Sequence, residues 1–160
     1  MSKPTAVLPR AVTLVGVCVL VAGCAQSGGA TTAAKGKQTS GSAYVADTQI
    51  VGSKTYAAGA GIDKILGPAA VTLLVSSPAP TSQPNVVKVT AKPMTLWLRT
   101  GTMSGTGTLL LNTHTGQLTG HATFRGATGT LKGTSLVASL RGSADLAKGR
   151  FHYTYTGVYK

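Results

Sequence analysis

The sequence predicts an all-β protein, a small antiparallel meander of about eight strands closed into a barrel. Three observations lead there. Charged residues are sparse, at 11%, while glycine fills 21 positions among many threonines and valines, a composition that suits short strands joined by tight turns. The carboxy-terminal half alternates apolar and polar residues with period two, the pattern of half-buried strands. Its runs are joined by short turn-forming links, and a meander of that size loses its exposed edges by closing on itself. At 160 residues the chain has the length of one domain. Its 42% hydrophobic content is enough to build a core.

The amino terminus stands apart from that domain. Lys3 and Arg10 precede a short apolar run, Ala11 to Leu20, which ends in small residues at Ala22 and Gly23. This is the layout of a secretory signal. It is too short for a spanning helix, which needs about 20 apolar residues. The stretch Leu20, Val21, Ala22, Gly23 and Cys24 resembles the lipobox of bacterial lipoproteins: an aliphatic residue, two small residues, then a cysteine. The resemblance implies cleavage between Gly23 and Cys24 and a diacylglyceryl group on the Cys24 thiol. It further implies an extracytoplasmic protein anchored to the bacterial cell membrane, stably so once two or more acyl chains are attached.

Cys18 would leave with the signal, so the mature chain keeps a single, acylated cysteine. Neither a disulfide nor a thiol nucleophile is then expected. From Ala25 to about Ser42 the sequence "AQSGGATTAAKGKQTSGS" has no hydrophobic period and reads as a flexible tether. The expected organisation is a signal peptide at 1–23, a lipidated cysteine and linker at 24–42, and the barrel at 43–160.

Within the barrel, "AYVADTQIV" opens as a first strand, and "YAAGAGIDKILG" leaves room for one helical turn before Pro68. Gly59 and Gly61 oppose any longer helix. "AAVTLLVSS" is apolar enough for a buried strand and runs into the loop "PAPTSQP". Next, Val87, Val89 and Ala91 share one face, and Met94, Leu96 and Leu98 lie opposite Trp97 and Arg99. Pro93 between them cannot sit in a central ladder and marks a bulge, a corner or a break.

"TMSGTGTLLLN" and "GQLTGHATFRG" flank "NTHTG", whose Asn112 and Gly116 favour a hairpin loop. In the second of these strands Leu118, Gly120, Ala122 and Phe124 alternate with Thr119, His121, Thr123 and Arg125. "GATG" turns the chain, "TLKGTSLVASLRG" follows, and "SADLAK" turns it again. The last strand, "RFHYTYTGVYK", places Phe151, Tyr153, Tyr155 and Tyr159 on one face. These four are the candidate lining of a core or of a cavity. Glycines at 105, 107, 120 and 133 leave room for a cavity or permit strand coiling.

The stretch "FRGATGTLKGTSLVASLRGSADLAKGRFHYTYTGVYK" resembles the end of small secreted actinobacterial β-domains, which finish in an aromatic-rich strand. Through them it is similar to the barrels of dirigent proteins and allene oxide cyclases. The shared positions are mostly turn glycines, Ala127 stands where a second glycine is often found, and no acidic catalytic residue accompanies them. The resemblance implies a barrel and brings no reaction with it.

Reactive groups are few. The acids are Asp47, Asp63 and Asp145, with no glutamate, and their scatter gives no paired carboxylates for acid–base work. Asp145 falls in a turn, where aspartate bonds its own backbone. His114 falls in a loop, His121 and His152 on outward faces, and no third ligand accompanies them, so neither metal nor cofactor is expected. No "GxSxG" elbow is present, and "GAG" and "GATGTLKG" lack the spacing of phosphate loops.

Fifteen Lys and Arg give a formal charge of +12, or +10 once Lys3 and Arg10 depart. They occur singly, without interleaved stacking aromatics, so nucleic acid is not an expected partner. Anionic lipid headgroups or cell-wall polymers beside the anchor are. The leading expectation is a non-catalytic binding or cell-envelope module. The alternative is a barrel that binds or carries an apolar small molecule, and a second alternative is a dirigent- or cyclase-like enzyme.

Overall fold

The computed structural model describes residues 36–160; the expected signal peptide, Cys24 and most of the expected tether lie outside the described residues. The strands are β1 (Lys37–Val51), β2 (Lys54–Asp63), β3 (Gly67–Ser76), the two-residue β4 (Ala79–Pro80), β5 (Val86–Leu98), β6 (Gly101–Asn112), β7 (Gln117–Gly126), β8 (Ser135–Asp145) and β9 (Arg150–Tyr159). Every pairing is antiparallel. Eight strands form a closed ring, in which β9 pairs back onto β1 and β3 pairs with β5. The extra strand β4 pairs only with the first residues of β5. The all-β meander barrel read from the sequence is therefore the fold.

Turn chemistry sets the links. Asn112 Oδ1 accepts the backbone N–H groups of His114 and Thr115 at 2.9 and 3.0 Å, and Gly116 takes φ +71°, so the loop between β6 and β7 closes on its own side chain. Inside the ring, Met94, Met103, Ala122, Phe124, Leu136, Ala138 and Leu140 form one buried cluster. Ala43, Val45, Ala57 and Val71 form a second. Outward positions are polar or only partly apolar, as with His121, Arg125, Thr154 and the exposed Trp97.

Two sequence expectations change in detail, and a third is made specific. β1 starts at Lys37, inside the stretch read as tether up to Ser42. Residues 37–42 have no apolar period, yet they pair with β9 from Tyr159 to Thr154, so ladder hydrogen bonds and the buried Thr39 hold them rather than apolar burial. The stretch "YAAGAGIDKILG" contains no helical turn but ends β2, turns, and enters β3. A β-carbon at Gly59 would overlap the Tyr44 carbonyl oxygen, so the glycine that opposes a helix lets β1 and β2 approach. Of the three alternatives for Pro93, the bulge is the one observed, within an unbroken β5. The register slips between Ala91 and Met94, the Lys92–Pro93 peptide is cis, and both halves of β5 keep their apolar residues facing inward.

Candidate functional site

The barrel interior is filled at one end and open at the other. At the end where β1 begins and β9 finishes, Asp63 closes β2 with only 5% of its surface exposed. Its Oδ1 accepts the Thr39 hydroxyl at 2.8 Å and the backbone N–H groups of Ile65 and Leu66 at 2.7 and 2.8 Å. Its Oδ2 accepts the Tyr155 hydroxyl at 2.6 Å. The two backbone bonds make the turn into β3 an aspartate-capped one. The two side-chain bonds tie β1 and β9 to it.

Gly41 makes that reach feasible, because a β-carbon there would sit 2.6 Å from Tyr155 Cζ. Burial, then the bond to Asp63, then the nearby charges of Asp63 and Tyr153 push the Tyr155 hydroxyl well above the usual tyrosine range. The void beside this plug measures about 30 Å³, room for one water. With four donors on its carboxylate, Asp63 is a structural anchor.

The opposite end is a cup of about 330 Å³. Leu73 and Val75 of β3, Leu109 and Leu111 of β6, Leu118 of β7 and Phe151 of β9 form its walls, over Met94, Leu140 and Tyr153. Gly107 also faces it, and the space of its missing side chain is taken up by Met94, whose Sδ would lie 2.7 Å from a β-carbon there. Gly105 and Gly120 lie against carbonyl oxygens of neighbouring strands, Thr123 and Thr108, and Gly133 sits in a loop at φ +87°. Of the four glycines noted in the sequence, only Gly107 lines the cup, and it admits Met94 rather than empty space.

Two apolar residues stand at the cup's rim: Ile50, 73% exposed, and Leu146. Asp47 stands there too. A bulge between Asp47 and Gln49 interrupts the β1–β2 register beside it. The Asp47 backbone N–H donates to the Gly149 carbonyl at 2.8 Å. Its carboxylate lies over Gly149, where a β-carbon would come within 2.8 Å of Oδ2 and where φ is +57°. Partial burial raises the Asp47 carboxyl above its ordinary value. Among the described residues its carboxylate makes no hydrogen bond and no ion pair, whereas Asp145 is bridged to Lys148 at 3.3 Å.

The aromatic stripe of β9 divides between the two ends. Phe151 and Tyr153 line the cup, Tyr153 and Tyr155 line the small void, and Tyr159 rests on the lower core. Burial pushes the Tyr153 hydroxyl up to about 12. His114, His121 and His152 are exposed. Among the described residues, no group of three His, Cys, Asp or Glu could hold a metal ion.

Comparison with protein-family models, with curated proteins and with solved structures finds no match. The site is therefore read from its own geometry.

Sequence reasoning missed the separate roles of Asp47 and Asp63. For Asp63 a signal was present, an aspartate followed by a short turn into a proline-bearing strand. For Asp47 there was none, since only closure of the ring brings β1, β3, β6 and β9 around one opening. Chemically, the cup can exclude water from an apolar body and offer one carboxylate at its edge.

Proposed function

We propose that this protein is a bacterial lipoprotein, anchored outside the cell membrane through lipidated Cys24, whose barrel holds one apolar small molecule in the cup. The anchor reading rests on the lipobox-like run from Leu20 to Cys24. The binding reading rests on one observation, the apolar cup of about 330 Å³ at one end of an otherwise filled barrel. Ligand pockets begin at about that size, and eight-stranded barrels either fill their interior or hold one small ligand.

The contrast between the ends favours a ligand over a purely structural module. At the Asp63 end the interior is closed by side chains. At the other end Leu109, Leu73 and Phe151 remain partly exposed, at a cost of about 25 cal/mol for each Å² of apolar surface left in water. A ligand recovers that cost. The excess of basic residues supports a location beside anionic headgroups or cell-wall polymers, which attract such a surface.

The test is a titration of the mature chain carrying Cys24→Ala with the uncharged fluorophore N-phenylnaphthylamine. Saturable binding at one site is expected. Leu109→Trp and Val75→Trp fill the cup from two different strands, and each should abolish binding while the protein still melts cooperatively. No saturable binding, or binding untouched by both folded variants, overturns the reading.

A further inference from the structure

We infer that the cup takes a ligand with a cationic head, an apolar body ending in a protonated amine that pairs with Asp47. This rests on the reading of the cup as a small-molecule site and adds the chemistry of the head group.

The three acids of the chain supply the contrast. Asp63 is saturated by four donors. Asp145 holds Lys148 and caps its own turn. Asp47 alone, among the described residues, has no partner for its carboxylate, although basic residues outnumber acidic ones fifteen to three. Asp47 is exposed at the rim, and Lys148, next in sequence to the Gly149 over which Asp47 lies, is bridged to Asp145 instead.

Asp47 also stands where a head group would emerge. The walls below it are leucine, valine and phenylalanine. Of the hydroxyls that line the cup, Ser77 donates to the Ser53 carbonyl at 2.8 Å and Ser76 accepts the Thr90 N–H at 3.3 Å, while those of Ser53 and Thr55 are neutral. Among the described residues that line the cup Asp47 alone is charged, so its carboxylate can orient an amphipathic guest, and an ammonium is its strongest match. Apolar walls on one side reduce the water that would otherwise screen the pair.

The overall charge makes the proposal easy to overturn. A protein this basic attracts anions and repels cations at long range, so a carboxylate-headed ligand should win unless Asp47 decides locally. The experiment displaces N-phenylnaphthylamine from the mature Cys24→Ala chain with decylamine, decanol or decanoate at neutral pH. Decylamine is expected to bind about fivefold more tightly than decanol, the upper range for a partly exposed ion pair, and decanoate more weakly than either.

Asp47→Asn should erase the amine preference and leave decanol unchanged. Equal binding of amine and alcohol, or a preference that survives Asp47→Asn, overturns the cationic head while the apolar cup stands. Failure of all three to displace a bound probe overturns the cationic head alone, whereas failure of the probe itself to bind removes both readings.

Discussion

Tyr155 donates its hydroxyl proton to Asp63 Oδ2 across 2.6 Å, joining residues 92 positions apart. The bond passes over β1, which lies between β2 and β9 in the ring, and it crosses at Gly41. One carboxylate therefore holds three strands and a turn together.

Asp63→Ala should destabilise the barrel by about 3 kcal/mol or more, because it strands buried hydroxyl and backbone donors together. Tyr155→Phe should cost about 1–2 kcal/mol, and the double variant less than the sum, since the two share one bond. Urea unfolding checks all three. Asp145→Ala is the control, and an Asp63→Ala cost no larger than that of this exposed turn would contradict the anchor role.

Alkaline pH should weaken the fold through the same strand. Both Tyr153 and Tyr155 hold their protons above the ordinary value of 10.0. Above that pH the unfolded chain loses tyrosine protons that the native chain keeps, so stability is complete below it and falls as pH rises, by up to about 1.4 kcal/mol per pH unit for each tyrosine. The Tyr153 share ends near its folded value of about 12. Tyr153→Phe should therefore flatten the slope between those two values, as measured by unfolding at stepped pH. An unchanged slope would mean that Tyr153 is not shielded.

The facing of β9 gives a sharper contrast between neighbours. Tyr153 lies between the cup and the lower void, while Thr154 is exposed on the outer surface. Tyr153→Ala should cost about 3 kcal/mol or more, and Thr154→Ala under about 0.5 kcal/mol. Chemical denaturation that ranks them in the opposite order would reverse the assigned faces.

Much of the barrel was legible because its signals are local. The alternation of Leu118, Ala122 and Phe124, the Asn112 and Gly116 turn, and the inward stripe from Phe151 to Tyr159 each depend on residues a few positions apart. What escaped depends on closure. Lys37–Ser42 carries no apolar pattern, and its strand character comes from the β9 backbone beside it. Gly59 and Gly61 argue against a helix, but only the nearness of the Tyr44 and Ser42 carbonyls shows why a strand needs them. Asp47 and Asp63 looked alike in the sequence, and opposite ends of the ring give them different surroundings.

The anchor is tested apart from the barrel. Labelled fatty acid should enter the protein expressed in a bacterial host and should not enter Cys24→Ala, read by gel fluorography. Equal labelling of both chains would remove the lipobox reading and leave the cup untouched.

Lys37 and Tyr159 stand opposite each other at one end of the β1–β9 ladder. Because neighbouring strands in the chain are also neighbours in the ring, where the chain begins is a matter of where the circle was cut. A short bridge between those two residues and a new opening at Gly52 would leave every ladder in place, and such permutation is best tolerated where termini meet at the surface. The rearranged chain would carry any leader at the rim of the cup instead of at the Asp63 end. Where a leader joins and where the cup opens are thus separable properties of this barrel, each adjustable without rebuilding the other.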